Sequence, residues 1–167
     1  GHAILGSAVI VGLATLASVP FGLAVAVYLT ETRSRTRNIV RFLSQSMSGL
    51  PSVVSGLFVY SMFIVTNVSR PSGLLGSVAL LILMLPTVVR TAEEVLKLVP
   101  GDLRNAALAL GSTRVRVFFR VTLPVARTGL ITAVLLGIAR IVGETAPLLL
   151  TSGLSQATNV NPVSGSM

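Results

Sequence analysis

Four apolar runs alternate with short polar stretches along this chain. Ala3 to Thr30 contains no charged residue and exceeds the ~20 apolar residues that cross a bilayer. Pro20 and Gly22 predict a kink within it, which helix neighbours in a membrane tolerate. A second run covers Leu43 to Thr66. Its first half is rich in small and polar residues, among them Ser44, Gln45, Ser46, Ser48, Gly49, Pro51, Ser52, Ser55 and Gly56. Small residues let helices approach closely and proline frees a backbone carbonyl, so this half is expected to face protein or a pathway. The third run, Leu74 to Val89, is nearly pure aliphatic. Thr91 to Val99 then reads as a separate amphipathic helix, with Glu93 and Lys97 at i,i+4 in the favourable order for a surface pair. Glu93 and Glu94 read as a solvated face or as a charge effect at the helix N-terminus. The fourth run is Thr128 to Leu150. Together these predict one all-α domain over 1–167, a polytopic membrane helix bundle with spans at 3–30, 43–66, 74–89 and 128–150 and a water-facing region at 90–127.

The longest interruption, Asn105 to Pro124, predicts two short helices. Leu103 to Leu110 forms the first, with Asp102 as N-cap. Gly111 follows at the position where a left-handed conformation costs glycine little. Ser112 caps a second helix through about Val121, basic at Arg114, Arg116 and Arg120 and apolar at Val115, Val117, Phe118 and Phe119.

Charge sets the orientation. Arg33, Arg35, Arg37 and Arg41 lie within nine residues. That side also carries Arg90, Lys97, Arg104, Arg114, Arg116, Arg120 and Arg127, whereas Arg70 is alone on the other. The basic side is expected to be cytoplasmic, with both chain ends opposite. A lipid-headgroup site is the rival reading of the first arginine cluster and places it on the same face.

The composition excludes several functions. Of 167 residues, 52% are hydrophobic and 11% charged, with mean hydropathy +0.87, where a soluble domain carries about a quarter charged residues. The net charge of +8 comes from loops between apolar runs, which argues against nucleic acid. There is no cysteine and one histidine, His2, so thiolate and histidine metal sites are excluded and no cofactor is expected. An intramembrane enzyme would lack most nucleophile–base pairs. No Gly-x-x-x-x-Gly-Lys-Ser/Thr phosphate loop occurs, so no ATP hydrolysis is expected of the chain itself. No signal peptide is evident, and the start without Met, almost inside an apolar run, suggests the core of a longer protein.

Two charges fall inside the fourth run. Arg140 lies 12 residues after Thr128, ~18 Å along a helix, where a charge costs ~2.5–3.5 kcal/mol even on the lenient insertion scale. Arg140 and Glu144 are at i,i+4 and would share a face. They read either as a structural ion pair or as an anion waypoint, in which Arg140 offers a bidentate guanidinium and Glu144 orients or neutralises it.

The hairpin also carries a resemblance. Ala106-Ala107, three residues, Gly111, nine residues and Val121-Thr122-Leu123-Pro124 are similar to the cytoplasmic Glu-Ala-Ala loop of bacterial ABC importer permeases, with Asn105 at the Glu position. The resemblance implies a MetI-like permease fold in the bacterial inner membrane. It also implies a coupling helix that docks into a separate ATPase through Asn105, Ala106, Ala107, Leu110, Gly111 and Ser112. It argues against an ATP-independent channel or carrier. The loss of the Glu charge puts a specific ion pair to the ATPase in doubt. Two more segments, Gly49-Leu50-Pro51-Ser52 through Gly56 and Arg140-Ile-Val-Gly-Glu144-Thr145-Ala-Pro-Leu, together with Leu85-Pro86-Thr87-Val88-Val89-Arg90, resemble the A-type subunits of phosphate-specific permeases. That likeness implies a substrate pathway including Arg140, Glu144 and Thr145. The implied partners are a second homologous permease, two copies of the ATPase and a phosphate-binding protein. Permeases for sulfate, molybdate or amino acids share the loop and are the alternative.

Overall fold

The computed structural model describes residues 2–66 and 73–144. Every described element is helical: α1 His2–Glu31, α2 Arg35–Ser48, α3 Ser52–Val59, α4 Gly73–Lys97, α5 Gly101–Ala109, α6 Arg114–Val117 and α7 Leu123–Val142. Widened π turns extend α3 over Tyr60–Val65 and join α6 to α7 over Phe118–Thr122.

α4 is the axis. It packs along α1 and α7 and also meets α2 and α3. α1 faces it with a residue every third or fourth position: Gly6, Ile10, Ala14, Ser18, Gly22, Ala26 and Leu29 are buried. Its large side chains Ile4, Leu5, Leu16 and Phe21 point outward. Small residues on the protein side and large ones outside suit a helix whose other neighbour is lipid, since close backbone approach holds such helices together. Val88 of α4 is the tightest instance. A Cβ added to Gly22 of α1 would come within 2.7 Å of its side chain, and one added to Gly137 of α7 within 2.9 Å. About two turns along, Gly129 of α7 receives Val95 in the same way. The buried Ser77 hydroxyl lies 3.1 Å from the Ile10 carbonyl, a polar tie between α1 and α4.

Three helical stretches are long and apolar enough to cross a membrane: Ile4–Glu31, Gly73–Lys97 and Arg114–Val142, of 28, 25 and 29 residues. A bent pair can supply a fourth crossing. The fold is therefore the expected helix bundle, but several boundaries differ. The run at 43–66 is not one straight helix. α2 ends at Ser48, and Arg35–Ser48 and Ser52–Phe63 meet at 104°. Pro51 causes the break: it disfavours helical geometry at Leu50 and itself serves as the extended N-cap of α3 (ψ 145°). Of the small residues in that run, Ser55 and Gly56 are buried, whereas Gln45, Ser46, Gly49 and Pro51 are exposed. The runs at 74–89 and 91–99 merge into α4, which continues through Pro86 to Lys97. α1 likewise continues through Pro20. The hairpin's second helix does not stop near Val121. Pro124 would crowd the carbonyl of Arg120 four residues back, and the π turn around Arg120 opens the ladder there. The chain thus remains helical from Arg114 to Val142.

Candidate functional site

Two regions carry the expected site residues. The first is the α5–α6 hairpin. α5 begins at Gly101 behind Pro100, so Asp102 sits in the first turn and does not cap it. Acidic charge suits that position, near the positive end of the helix dipole. The C-terminus closes as a Schellman motif. The Gly111 amide donates to the Leu108 carbonyl at 3.0 Å and the Ser112 amide to the Ala107 carbonyl at 3.2 Å. Gly111 has φ +86°, as the sequence led us to expect. The cap of α6 is Thr113, whose hydroxyl accepts from the Arg116 amide at 3.4 Å; Ser112 is occupied by the turn instead. Asn105, Ala106 and Ala107 thus lie in the second half of α5, and Leu110, Gly111 and Ser112 form the turn that follows it. Asn105 and Ala106 are exposed, and Leu110 is 88% exposed at the tip.

Arg104, which sequence reasoning did not single out, fixes this hairpin to the bundle. Its Nη1 donates to Glu31 Oε1 at the end of α1 and its Nη2 to the Leu96 carbonyl of α4, each at 3.0 Å. A guanidinium can make both bonds at once; an ammonium on a flexible stem does so poorly. The signal was present in Glu31, the single charge at the end of an uncharged run. A polar cavity of about 200 Å³ lies beside this clamp, lined by Thr30, Glu31, Arg104, Asn105 and Arg114 among others.

Glu93 corrects a second expectation. It is buried, 7% exposed, and does not lie on a solvated face. Lys97 Nζ reaches its Oε1 at 2.8 Å, and Arg41 of α2 donates to the same oxygen. Beyond the aliphatic part of α4, burial pushes the Glu93 carboxyl up, but the bonds and charges of Lys97 and Arg41 outweigh that and hold it below the usual range. Its spacing from Val89 and Leu96, four before and three after, placed it on the buried stripe and could have revealed it. Glu94 is the exposed partner of Arg90.

The second region is around Arg140. The expected i,i+4 pair with Glu144 does not form among the described residues. α7 ends at Val142 with Gly143 as C-cap, and the Glu144 amide closes a turn onto the Ile141 carbonyl at 3.2 Å. Glu144 therefore lies just past the end of the regular helix. Arg140 instead donates from Nη1 to the Thr87 hydroxyl of α4 at 3.0 Å, and its side chain is otherwise exposed. Thr87 lies three residues before Arg90, ~4.5 Å along α4. The helix that carries Arg140 runs unbroken from Arg114 to Val142, so Arg140 lies two residues before its far end. Thr145 lies outside the described residues.

Known proteins resemble this chain over nearly its whole length. It is 42% identical over 167 residues, 99% of this chain and 55% of the relative, to the phosphate transport system permease protein PstA 1 of Mycobacterium tuberculosis (strain CDC 1551 / Oshkosh). It is 43% identical over 162 residues, 96% of this chain and 57% of the relative, to the phosphate transport system permease protein PstA of Haemophilus influenzae. A PstA of Yersinia pestis is 43% identical over 153 residues, 90% of this chain and 52% of that relative. The chain spans about half the length of the curated relatives it matches. Residues 18–159 match the family described as binding-protein-dependent transport system inner membrane component, and the chain, a multi-pass helix bundle, belongs to that family.

Proposed function

We propose that this chain is the membrane core of one permease subunit of an ATP-driven importer of inorganic phosphate. The observation that carries the reading is its 42% identity, over nearly all its length, to proteins named phosphate transport system permease. In this reading a second homologous permease completes the pathway, a phosphate-binding protein delivers the anion, and two copies of an ATPase drive it. The end of α5 and the turn after it, Asn105–Ser112, are the part an ATPase would grip, and the basic face is cytoplasmic. Hairpin displacement would pass through Arg104 to the ends of α1 and α4, and the bundle would rock between two accessible states. The spans proposed are 3–30, a bent crossing within 43–66, 74–89 and the helix from about residue 128 onward, with 90–127 as the coupling region.

Arg140 is the proposed anion waypoint, with Glu144 and Thr145 beside it. Its hydrogen bond to Thr87 holds one edge of the guanidinium and leaves other N–H groups for phosphate oxygens. The test is phosphate uptake in a strain lacking its own phosphate permease, using the full-length protein. Arg140→Ala is expected to abolish uptake and Arg140→Lys to leave a partial rate, both with normal complex yield. Normal uptake by Arg140→Ala would sink the waypoint. No uptake by the unsubstituted protein, assembled with its partners, would sink the phosphate reading.

A further inference from the structure

α2 is amphipathic the wrong way round for a surface helix of a soluble bundle. Its polar side turns inward. Arg37 and Arg41 are half-buried, Arg37 donating to the Thr32 carbonyl at 3.2 Å and Arg41 to Glu93 of α4. Its apolar side turns outward: Ile39 is 60% exposed, Phe42 68% and Leu43 55%. No residue of α2 is buried. Arg35 precedes Ile39 and Phe42 by four and seven positions and so begins the same stripe. Arg35 and its neighbour Arg33 are exposed, and neither side chain bonds to a described residue. The 104° bend at Gly49–Pro51 sets α2 nearly square to α3. If α3 runs across the membrane, α2 runs along its surface.

We propose that α2 lies in the membrane–water interface, its Ile39–Phe42–Leu43 stripe in the acyl boundary and Arg33 and Arg35 on anionic lipid headgroups. An apolar stripe flanked by basic residues is what such a helix needs, and arginines beside a membrane attract acidic lipid. The ion pair from Arg41 to Glu93 then links this surface helix to α4. The proposal rests on the membrane placement of the bundle and is independent of the transported substrate.

The full-length permease, assembled with its partners in bilayer nanodiscs, carries a spin label on a cysteine at Leu43, or at Leu16 of α1 as a reference for insertion. Oxygen accessibility is expected at both sites, with the Leu43 label shallower. A fluorophore at Phe42 is expected to be quenched more by brominated phosphatidylglycerol than by brominated phosphatidylcholine at equal mole fraction. The preference should fall by about fivefold in an Arg33→Gln/Arg35→Gln variant. A Leu43 label open to water-soluble nickel chelate overturns the proposal. So does one shielded from both reagents, which would assign the stripe to a partner subunit. Equal quenching by the two lipids overturns it as well. A Leu16 label outside the hydrocarbon overturns this proposal and the membrane placement together.

Discussion

Gly111 holds its position by backbone geometry alone, since a Cβ there would meet no neighbour within 4 Å. The obstacle to substitution is φ +86°, a left-handed conformation that costs an L-residue about 1–2 kcal/mol and more when β-branched. Gly111→Val is expected to open the Schellman turn, with membrane insertion unchanged and ATPase co-purification reduced severalfold; normal assembly would refute the turn's role. This turn was readable in the sequence because a glycine between two helix-forming stretches has few other uses. The Arg140–Glu144 pair was not, because i,i+4 spacing creates a shared face only while the helix continues, and here it stops at Val142. Arg140's actual partner, Thr87, is 53 residues away, beyond any local rule. Thr87→Val keeps the side-chain shape and removes the hydroxyl. If the hydrogen bond positions Arg140 for an anion, the apparent KM for phosphate uptake should rise about fivefold to tenfold, the equivalent of a ~1–1.4 kcal/mol bond, with complex yield unchanged.

At the scale of helices, what failed to show in the sequence was sidedness. α1 is apolar all round, so no period separates its α4-facing side from its outer side. The buried set differs in size, with Gly6, Ala14, Ser18, Gly22 and Ala26, and size at fourfold spacing was the pattern to look for. The break between α2 and α3 was foreshadowed by Pro51, but a hydropathy run does not register direction. α2 and α4 meet through charge, which makes their contact dependent on pH. The Glu93 carboxyl titrates lower in the folded state than in the unfolded chain. Its contribution is therefore complete above the ordinary glutamate range, about 4.3, and is lost as pH falls through the lowered folded value. For the full-length permease, Glu93→Gln should lower stability at pH 7 by about 1–2 kcal/mol, allowing for the half-exposed Lys97. The gap to wild type should persist to about pH 5 and narrow as pH falls below the ordinary glutamate range toward the lowered folded value. A gap that widens on acidification would contradict the assignment.

For the molecule as a whole, the number of apolar runs gave the class of fold, since backbone groups in lipid leave few alternatives to helices. Run boundaries misled because α4 and the Arg114–Val142 helix, at 25 and 29 residues, outrun a ~30 Å hydrocarbon layer. Their polar extensions flank the hairpin, so the stretch at 90–127 comprises the end of α4, the separate helix α5 and the start of the Arg114–Val142 helix. Cysteines replacing Arg37 and Arg114 are accordingly expected to react with impermeant reagents only from the cytoplasmic side; labelling of Arg114→Cys in intact cells would reverse the bundle. The fit of Val88 between Gly22 and Gly137 has a consequence for how this sequence can drift. The valine occupies both notches at once, so a bulkier residue at either glycine demands a smaller one at 88, which empties the other notch. Neither glycine can vary on its own account. Positions 22, 88 and 137, scattered over 116 residues of chain, should be inherited as a set, and lineages that change one should pass through a compensating change at the centre before the far side is free to follow.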